Sequence, residues 1–444
     1  MEQYISDGAK YVLDKLNRYG YEAFIVGGCV RDILMSKAPH DYDITTIAKP
    51  DEVLKVFSND KVFETGIKHG TVTIVKNHEN IEVTTYRIDG EYLDNRHPSN
   101  VSFSTDVKND LSRRDFTINS ICMDSGGRIY DYFGGKEDIS NKVIKAIGEP
   151  KKRFEEDALR ILRAVRFSST LGFKIEPETK KAMIECSHLL KNISKERIAS
   201  EIDKFLLGKY VKESLLSNYD IIGEIIPEIK LMHGFDQNNI HHIYDLLSHT
   251  AIVIEEIEPV RYLRLSALFH DVGKISTCKL GEDNQCHFYS HASVSYEIAR
   301  NYFNEYKYDN QTKDLALKLI KAHDTPIEEN RVIIKRRLNK YGKDLFFDLI
   351  RLQRADNKAQ NPDFDRTSHF DNVEKIANEI IAKEECFSLK SLAIDGKDLI
   401  SLGMTEGHDI GETLDHLLKL VLNEKIENTK EALIKEVERM RNKQ

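Results

Sequence analysis

Residues 23–46 leave the chain few ways to fold. Ala23-Phe24-Ile25-Val26 is a short apolar run of the kind that makes a buried strand. Gly27-Gly28 then removes two side chains where backbone must come close to something, and Val30-Arg31-Asp32-Ile33-Leu34-Met35 reads as the opening of a helix. Glycines leading into a helix N-terminus make an anion site, because unpaired N–H groups and the helix dipole both favour phosphate there. Arg31 adds a cation in the first turn. Asp41-Tyr42-Asp43, followed by Ile44-Thr45-Thr46, fits a second strand, on which residues two apart face the same way. Two carboxylates side by side repel each other unless a cation sits between them, so paired acids near a phosphate cradle suggest a divalent metal. An isolated Asp-x-Asp is usually a solvated turn. The Gly-Gly-x-x-Arg-Asp loop just upstream favours the metal.

At 444 residues the chain can bury several cores, which predicts two to four domains. No apolar stretch approaches the roughly eighteen residues of a membrane span, which excludes an integral membrane protein of the helical kind. The N-terminus lacks a basic and apolar signal, so a cytoplasmic location is expected. Cysteines at 29, 122, 186, 278, 286 and 386 form no Cys-x-x-Cys pair and read as reduced packing thiols. A net charge of −8 argues against indiscriminate polyanion binding, so any nucleic-acid contact must use local basic patches.

Residues 6–19 have helical spacing closed by Gly20, and Pro50 to Phe57 reads as a helix. Strands are predicted at 70–75 and 81–87, the second placing Glu82, Thr84 and Tyr86 on one face. Glu82 becomes a third carboxylate if its strand neighbours that of Asp43; a solvated glutamate is the alternative. Residues 87–103 are polar and turn-rich, as in a mobile loop. Arg113-Arg114-Asp115 and Asn119 supply donors for phosphates and partners for a ribose. Asp131 to Gly135 reads as a hinge turn. From residue 153 amphipathic helical patterns dominate, with breaks at Gly172, Pro177, Gly208 and Pro227. The first of these helices carries Asp157, Arg160, Arg163 and Arg166 at every third position, one drifting stripe. Such a stripe is most often a solvated ion-pair face. Yet a carboxylate accepts from an exocyclic amine while an arginine donates to the adjacent ring nitrogen. Cytosine and adenine share that edge, so one Asp–Arg pair could select both.

These motifs, with Glu156-Asp157-x-x-Arg160 and Glu196-Arg197-Ile198 to Glu201, resemble in order and spacing the class II tRNA nucleotidyltransferases, the CCA-adding enzymes, and their relatives the bacterial poly(A) polymerases. The resemblance covers essentially the whole chain. It implies an α/β head (1–140) with a nucleotidyltransferase-type mixed sheet, then a mostly α-helical neck (141–230), a body of HD type (231–365) and a tail (366–444). Asp41 and Asp43 would be catalytic and hold Mg2+. Gly28, Arg31 and Arg114, with Asp115 and Asn119, would bind the triphosphate and sugar of CTP or ATP. Asp157 and Arg160 would read the base, with Arg163 and Arg166 completing the pocket, and tRNA would be the partner. The stretch from Thr65 to Thr73 and the loop at 87–98 look like the CCA-adding branch; an enzyme adding only the terminal A would share them.

A second constellation lies further on. His249, His270-Asp271, His291, His323 and Asp356 are spread over separate helical segments and resemble the HD phosphohydrolase site. There His249, His270, Asp271 and Asp356 would bind one divalent metal of unspecified identity, with His291 and His323 assisting a second metal or the phosphate. A degenerate HD fold that only holds tRNA is the alternative. Residues 331–343 carry six basic residues and no acid, a candidate phosphate-backbone patch or a solvated helix face. Gly403, Gly407 and Gly411 resemble turn glycines of the tail.

Overall fold

The computed structural model describes residues 4–64, 66–67, 70–90, 101–405 and 407–442. Contacts divide the chain into two compact units, Met1–Lys230 with Glu305–Lys307, and Leu231–Asn304 with Tyr308–Gln444. The first begins with a mixed sheet and its helices; the rest of the chain is mostly helical.

The first unit opens with α1 (Asp7–Arg18), whose N-cap Ser6 accepts from the Ala9 amide, and whose Val12, Leu13 and Leu16 face the core at helical spacing. Next come β1 (Ala23–Val26), α2 (Gly28–Leu34), β2 (Tyr42–Thr46), α3 (Pro50–Val56), β3 (Lys61–Phe63), β4 (Thr71–Lys76) and β5 (Glu79–Thr85). After β6 (Arg87–Asp89), β7 (Val101–Phe103) and α4 (Val107–Ser112), β8 (Ile121–Met123) and β9 (Ile129–Asp131) complete a seven-stranded sheet of order β3-β4-β5-β2-β1-β8-β9. Alternation sorts the side chains. Ala23, Ile25, Ile44, Val72, Ile81 and Val83 pack under α1, α2 and α3 in the main core. Phe24 and Val26 point the other way, into a smaller cluster with Tyr86, Val107 and Leu111. Asp43 and Thr45, out of phase with Ile44, leave the sheet on that second face.

The strand predicted over 81–87 ends at Thr85. Tyr86 keeps the face expected for it, that of Glu82 and Thr84: it is fully buried against Phe24 and Val26, with its hydroxyl donating to Glu22 Oε1 at 3.1 Å. Arg87 starts β6, which pairs antiparallel with β7; residues 91–100 lie outside the described residues, as do Thr65, Lys68 and His69.

Beyond the sheet, α5 (Gly135–Asn141) and β10 (Val143–Ile144) lead to α6 (Pro150–Glu156), α7 (Leu159–Leu171), β11 (Lys174–Ile175), α8 (Pro177–Cys186), α9 (Lys195–Leu206), α10 (Val211–Ile222) and α11 (Glu228–Met232). The breaks fall where the sequence placed them, with Gly172 as a left-handed cap and Pro177 at a helix start. One expectation is corrected. Residues 153–166 are two helices, because Asp157 is extended (φ −141°, ψ 101°) between α6 and α7.

The second unit holds α12 (Leu246–Glu256), α13 (Arg261–Phe269), α14 (Lys274–Thr277), a hairpin of β12 (Cys278–Leu280) and β13 (Cys286–Phe288), α15 (His291–Glu305), α16 (Asn310–Ala322), α17 (Arg331–Tyr341), α18 (Lys343–Lys358) and α19 (Thr367–Ala382). Then α20 (Gly396–Ser401), α21 (His408–Leu422) and α22 (Lys430–Arg441) share a separate core of Leu399, Leu417, Leu433 and Val437. The reading of all six cysteines as reduced is corrected. The β12–β13 hairpin brings Cys278 and Cys286 to a Cα separation of 5.3 Å, and they are disulfide-bonded. The other four are free and buried. No helix among the described residues is long and apolar enough to cross a membrane.

Candidate active site and metal centre

The glycine loop and the paired acids meet. Strand β1 pairs antiparallel with β2 so that Val26 faces Asp43, which puts Gly27 beside the carboxylate. Gly27 adopts φ +86°, a conformation that favours glycine, and a Cβ there would stand 3.0 Å from Arg114 Nη1 and 3.8 Å from Asp43 Oδ2. On the other side β2 runs parallel to β5, with Asp43 in register with Glu82. The condition for a third carboxylate is met. Asp41 and Asp43 are both open to solvent. The surrounding protein nonetheless pushes the Asp43 carboxyl up; Arg114 opposes this, and Glu82 and Asp41 push it further, to about 6. A place that resists collecting negative charge in this way suits a divalent cation bound by oxygen.

Behind the acids runs a polar chain. Arg31 is buried, donates through Nη1 to Asn119 Oδ1 (2.8 Å) and chelates Asp32 through Nε and Nη2. Asn119 Nδ2 donates to Asp115 Oδ1 (3.2 Å), and Asp115 Oδ2 accepts from Arg163 Nε (2.7 Å). Four of the predicted nucleotide-binding residues thus connect α2 to α7. Burial pushes the Asp115 carboxyl up, but Arg163, Asn119 and the Phe116 amide outweigh it and hold the group at about 2. Because this folded value lies below the ordinary 3.8, the stabilisation is complete above that value and is lost as pH falls through about 2. Asp115→Ala is expected to cost about 2 kcal/mol at neutral pH. That is less than a fully buried pair would, since the Arg163 side chain is 35 % exposed. Thermal unfolding from pH 7 to 2 should show the variant losing less stability at the acid end than the parent; parallel curves would refute the assignment.

Asp157 and Arg160 are reached from the kink. Asp157 Oδ1 accepts from the Leu159 amide (3.1 Å), and Oδ2 lies 3.5 Å from Arg197 Nη2 on α9. Arg160 is buried, with its guanidinium on Glu156 Oε2 (3.0 Å) and on the carbonyls of Arg153 and Arg113. Arg166 binds Glu201 Oε2 at 2.7 Å. Each arginine therefore has its own acid: Glu156, Asp115 or Glu201. Spacing on the helix alone did not reveal these partners, because two of them come from other segments.

In the second unit all the predicted ligands converge. His249, His270, Asp271 and Asp356 each offer an atom within 4.8 Å of the others, as do Asp271, His291 and His323, so Asp271 belongs to both sets. His249 lies on α12, His291 on α15 and Asp356 on α18, while His270 and Asp271 directly follow α13 and His323 directly follows α16. Buried Asp271 is ringed by donors: imidazole nitrogens of His249, His270, His291 and His323 lie 3.2–3.4 Å from its oxygens, and the Lys274 ammonium 2.7 Å from Oδ2. Burial opposes charge on His270, but Asp271 and Asp356 beside it push the imidazole up to about 10. The cluster attracts positive charge and gathers imidazole and carboxylate atoms within 4.8 Å of one another, so these donors fit a divalent metal of the imidazole–carboxylate class. His270 and His323 each direct Nδ1 at a carbonyl oxygen, of Ala267 and Ile320, which leaves Nε2 to face inward.

The sequence reading missed Lys274. Its Nζ is 2.7 Å from Asp271 Oδ2 and donates to Gln237 Oε1, and it lies 3.3 Å from His242 Nε2. Burial, then Lys274 and His249, hold His242 down at about 3, hence neutral. The position of Lys274 three residues after Asp271 was the available signal. The basic stretch at 331–343 is partly neutralised: Arg331 pairs with Glu385 and Glu379, and Lys335 with Glu385 and Glu424. Arg336, Lys340 and Lys343 remain exposed. In the tail, Gly403 and Gly407 take positive φ at turns, while Gly411 lies within α21.

Comparison with known proteins agrees with this geometry. Residues 23–145 match the family model described as the poly A polymerase head domain, and residues 172–232 the model described as "Probable RNA and SrmB- binding site of polymerase A". Residues 283–437 match a tRNA nucleotidyltransferase domain 2 model. The CCA-adding enzyme of Lactobacillus helveticus is 32 % identical over 431 residues, covering 96 % of this chain and 95 % of that one. That of Streptococcus pneumoniae is 33 % identical over 427 residues, covering 95 % and 94 %. The crystal structure of the Bacillus stearothermophilus CCA-adding enzyme in complex with CTP superposes with a TM-score of 0.73 at 29 % identity, covering 98 % of each chain. With the glycine loop, the paired acids and the arginine chain in one place, the chain belongs to the class II tRNA nucleotidyltransferases, the family of the CCA-adding enzymes.

Proposed function

We propose that the chain adds C, C and A to the 3′ end of tRNA, taking the nucleotides from CTP and ATP and releasing pyrophosphate. The observation that carries this is the register that sets Asp43 between the glycine loop and Glu82. Asp41 and Asp43 would hold Mg2+, which when bound supplies charge neutralisation and alignment for in-line displacement by the RNA 3′-hydroxyl. Arg114, Arg31 and the amides opening α2 bind the triphosphate, with Asp115 and Asn119 positioning the arginines behind it. Asp157 and Arg160 read the amine-plus-acceptor edge shared by cytosine and adenine, Arg163 and Arg166 border the same pocket, and Glu156 holds the guanidinium in plane. Glu82, in register with Asp43, acts as a third acid near the metal.

The test is incorporation of each labelled nucleotide singly into tRNA trimmed by zero to three 3′ nucleotides. C is expected on ends lacking two or three residues, and A on ends lacking one. A addition to many RNAs with CTP ignored would favour a poly(A) polymerase; A addition without any C would favour the A-adding branch. Asp157→Ala is expected to lower C and A selection over U and G by about tenfold or more, the value of one lost bidentate contact. Unchanged selection would refute the base-reading role.

A second activity, metal-dependent hydrolysis of a phosphoester at an RNA end, is favoured by the convergence of all six His and Asp ligands around Asp271.

A further inference from the structure

Asp110, on α4, is a buried charge to which the sequence reading gave no role; it is 0 % exposed. Two of its partners, Thr45 and Arg114, lead toward the acids of the head. Oδ1 accepts from Arg113 Nε (2.9 Å) and Nη2 (2.7 Å). Oδ2 accepts from Thr45 Oγ1 (3.1 Å) and lies 3.5 Å from Arg114 Nη2. Thr45 is two residues beyond Asp43 on β2, so the two side chains leave the same face of the sheet. Arg114 has one nitrogen on Asp110, while Nη1 borders the space at Gly27 that Asp43 also borders. Its Nε is buried and has no acceptor.

An arginine so placed has two possible uses for its charge. It can face a triphosphate, or it can fork onto the nearest carboxylate, since guanidinium and carboxylate match in shape as well as charge. Asp41, Asp43 and Glu82 would attract it as they attract a divalent ion, and a guanidinium settled on Asp43 would compete with the metal. Asp110 offers an opposing carboxylate on the far side, in a place where water does not screen it.

We propose that Asp110 is a positioning residue for nucleotidyl transfer: it tethers Arg114 away from Asp43 and toward the incoming triphosphate, and through Thr45 it steadies the strand that carries Asp43. This rests on the reading of Asp41 and Asp43 as the metal-holding acids.

The test is Mn2+ binding to the full chain without nucleotide or tRNA, followed by the electron paramagnetic resonance of the free ion. The Asp43→Asn variant defines the contribution of the second unit, which is subtracted. Asp110→Asn should raise the half-saturating Mn2+ concentration of the head by about tenfold, the effect of one nearby unscreened cation. KM for CTP and ATP should rise together, C-versus-A choice should stay as in the parent, and excess Mg2+ should restore most of kcat. In an Arg114→Met background the same Asp110 substitution should leave Mn2+ binding unchanged, because the competing cation is gone. Normal Mn2+ binding by folded Asp110→Asn, or an equal shift without Arg114, would overturn the proposal. Arg114→Met alone gives a test independent of the folding of Asp110→Asn. It should leave Mn2+ affinity close to that of the parent, and a tenfold tightening would show that Asp110 does not hold the arginine off. If Asp43→Asn itself leaves Mn2+ binding intact, the metal assignment fails, and the proposal with it.

Discussion

Asp43→Asn is expected to lower nucleotidyl transfer by about a thousandfold or more, with the fold retained. Asparagine keeps the shape of the side chain and the pairing of β2 with β1 and β5, so the sheet has no reason to change. What disappears is the charge at the one position adjacent to the glycine loop, Asp41 and Glu82 together. Arg114 then meets less negative potential, and a divalent cation loses its central ligand. Because the carboxyl of Asp43 is held up by its surroundings and by its acidic neighbours, its removal relieves repulsion. The thermal midpoint should stay level or rise slightly while activity collapses. Transfer within tenfold of the parent, measured at saturating Mg2+, would sink the assignment of this acid.

The second large effect is expected at Asp271. Asp271→Asn removes the ligand common to both His-containing sets, so metal content of the second unit should fall to background and hydrolysis of a phosphodiester such as bis-p-nitrophenyl phosphate by at least about a hundredfold. CCA addition should be little changed, since the acids proposed for transfer, Asp41 and Asp43, lie in the other unit. The substitution also leaves Lys274 without the carboxylate 2.7 Å away, and an unpaired buried cation destabilises by about 3–5 kcal/mol in comparable sites. His291→Ala avoids that cost, because His291 is only half-buried and contributes to one set alone. It should preserve the four-ligand site and lose the three-ligand one, detected as a drop in bound metal per chain. Hydrolysis unaffected by either change would show that this cluster is not catalytic.

Particular residues show how far the chain could be read in advance. Gly27, Asp43 and the helix that opens at Gly28 follow from local rules, because a positive φ admits glycine and a two-residue period sets the face of Asp43; Asp41, expected on the same strand, lies in the bend just before β2 begins at Tyr42. The histidines and aspartates from His249 to Asp356 stood out because apolar helix cores do not need them. The strand expected over 81–87 stops at Thr85 because alternation tells which face a side chain takes, as it does for Tyr86, and not where the pairing ends. Asp157 was placed inside a helix because its spacing fits one; its extended backbone depends on how α6 and α7 are each packed. Cys278 and Cys286 were read as separate thiols because eight residues of sequence do not say whether a hairpin forms between them.

From its residues alone this protein reads as a mixed sheet followed by helices, with a candidate phosphate loop, a pair of acids suited to a divalent ion and a second set of candidate imidazole and carboxylate ligands. These depend on the order of side chains along short segments, where backbone geometry fixes direction within a few residues. The folded arrangement adds which charges meet: Asp43 with Glu82, Arg163 with Asp115, Arg160 with Glu156, Arg114 with Asp110, and Asp271 with Lys274. Three of these pairs are only three or four residues apart, but Asp43 and Glu82, and Arg163 and Asp115, lie on distant segments of the chain. Their distances come from the packing of strands and helices against one another, and Coulomb energy follows distance in space, which the position of a residue in a sequence does not contain.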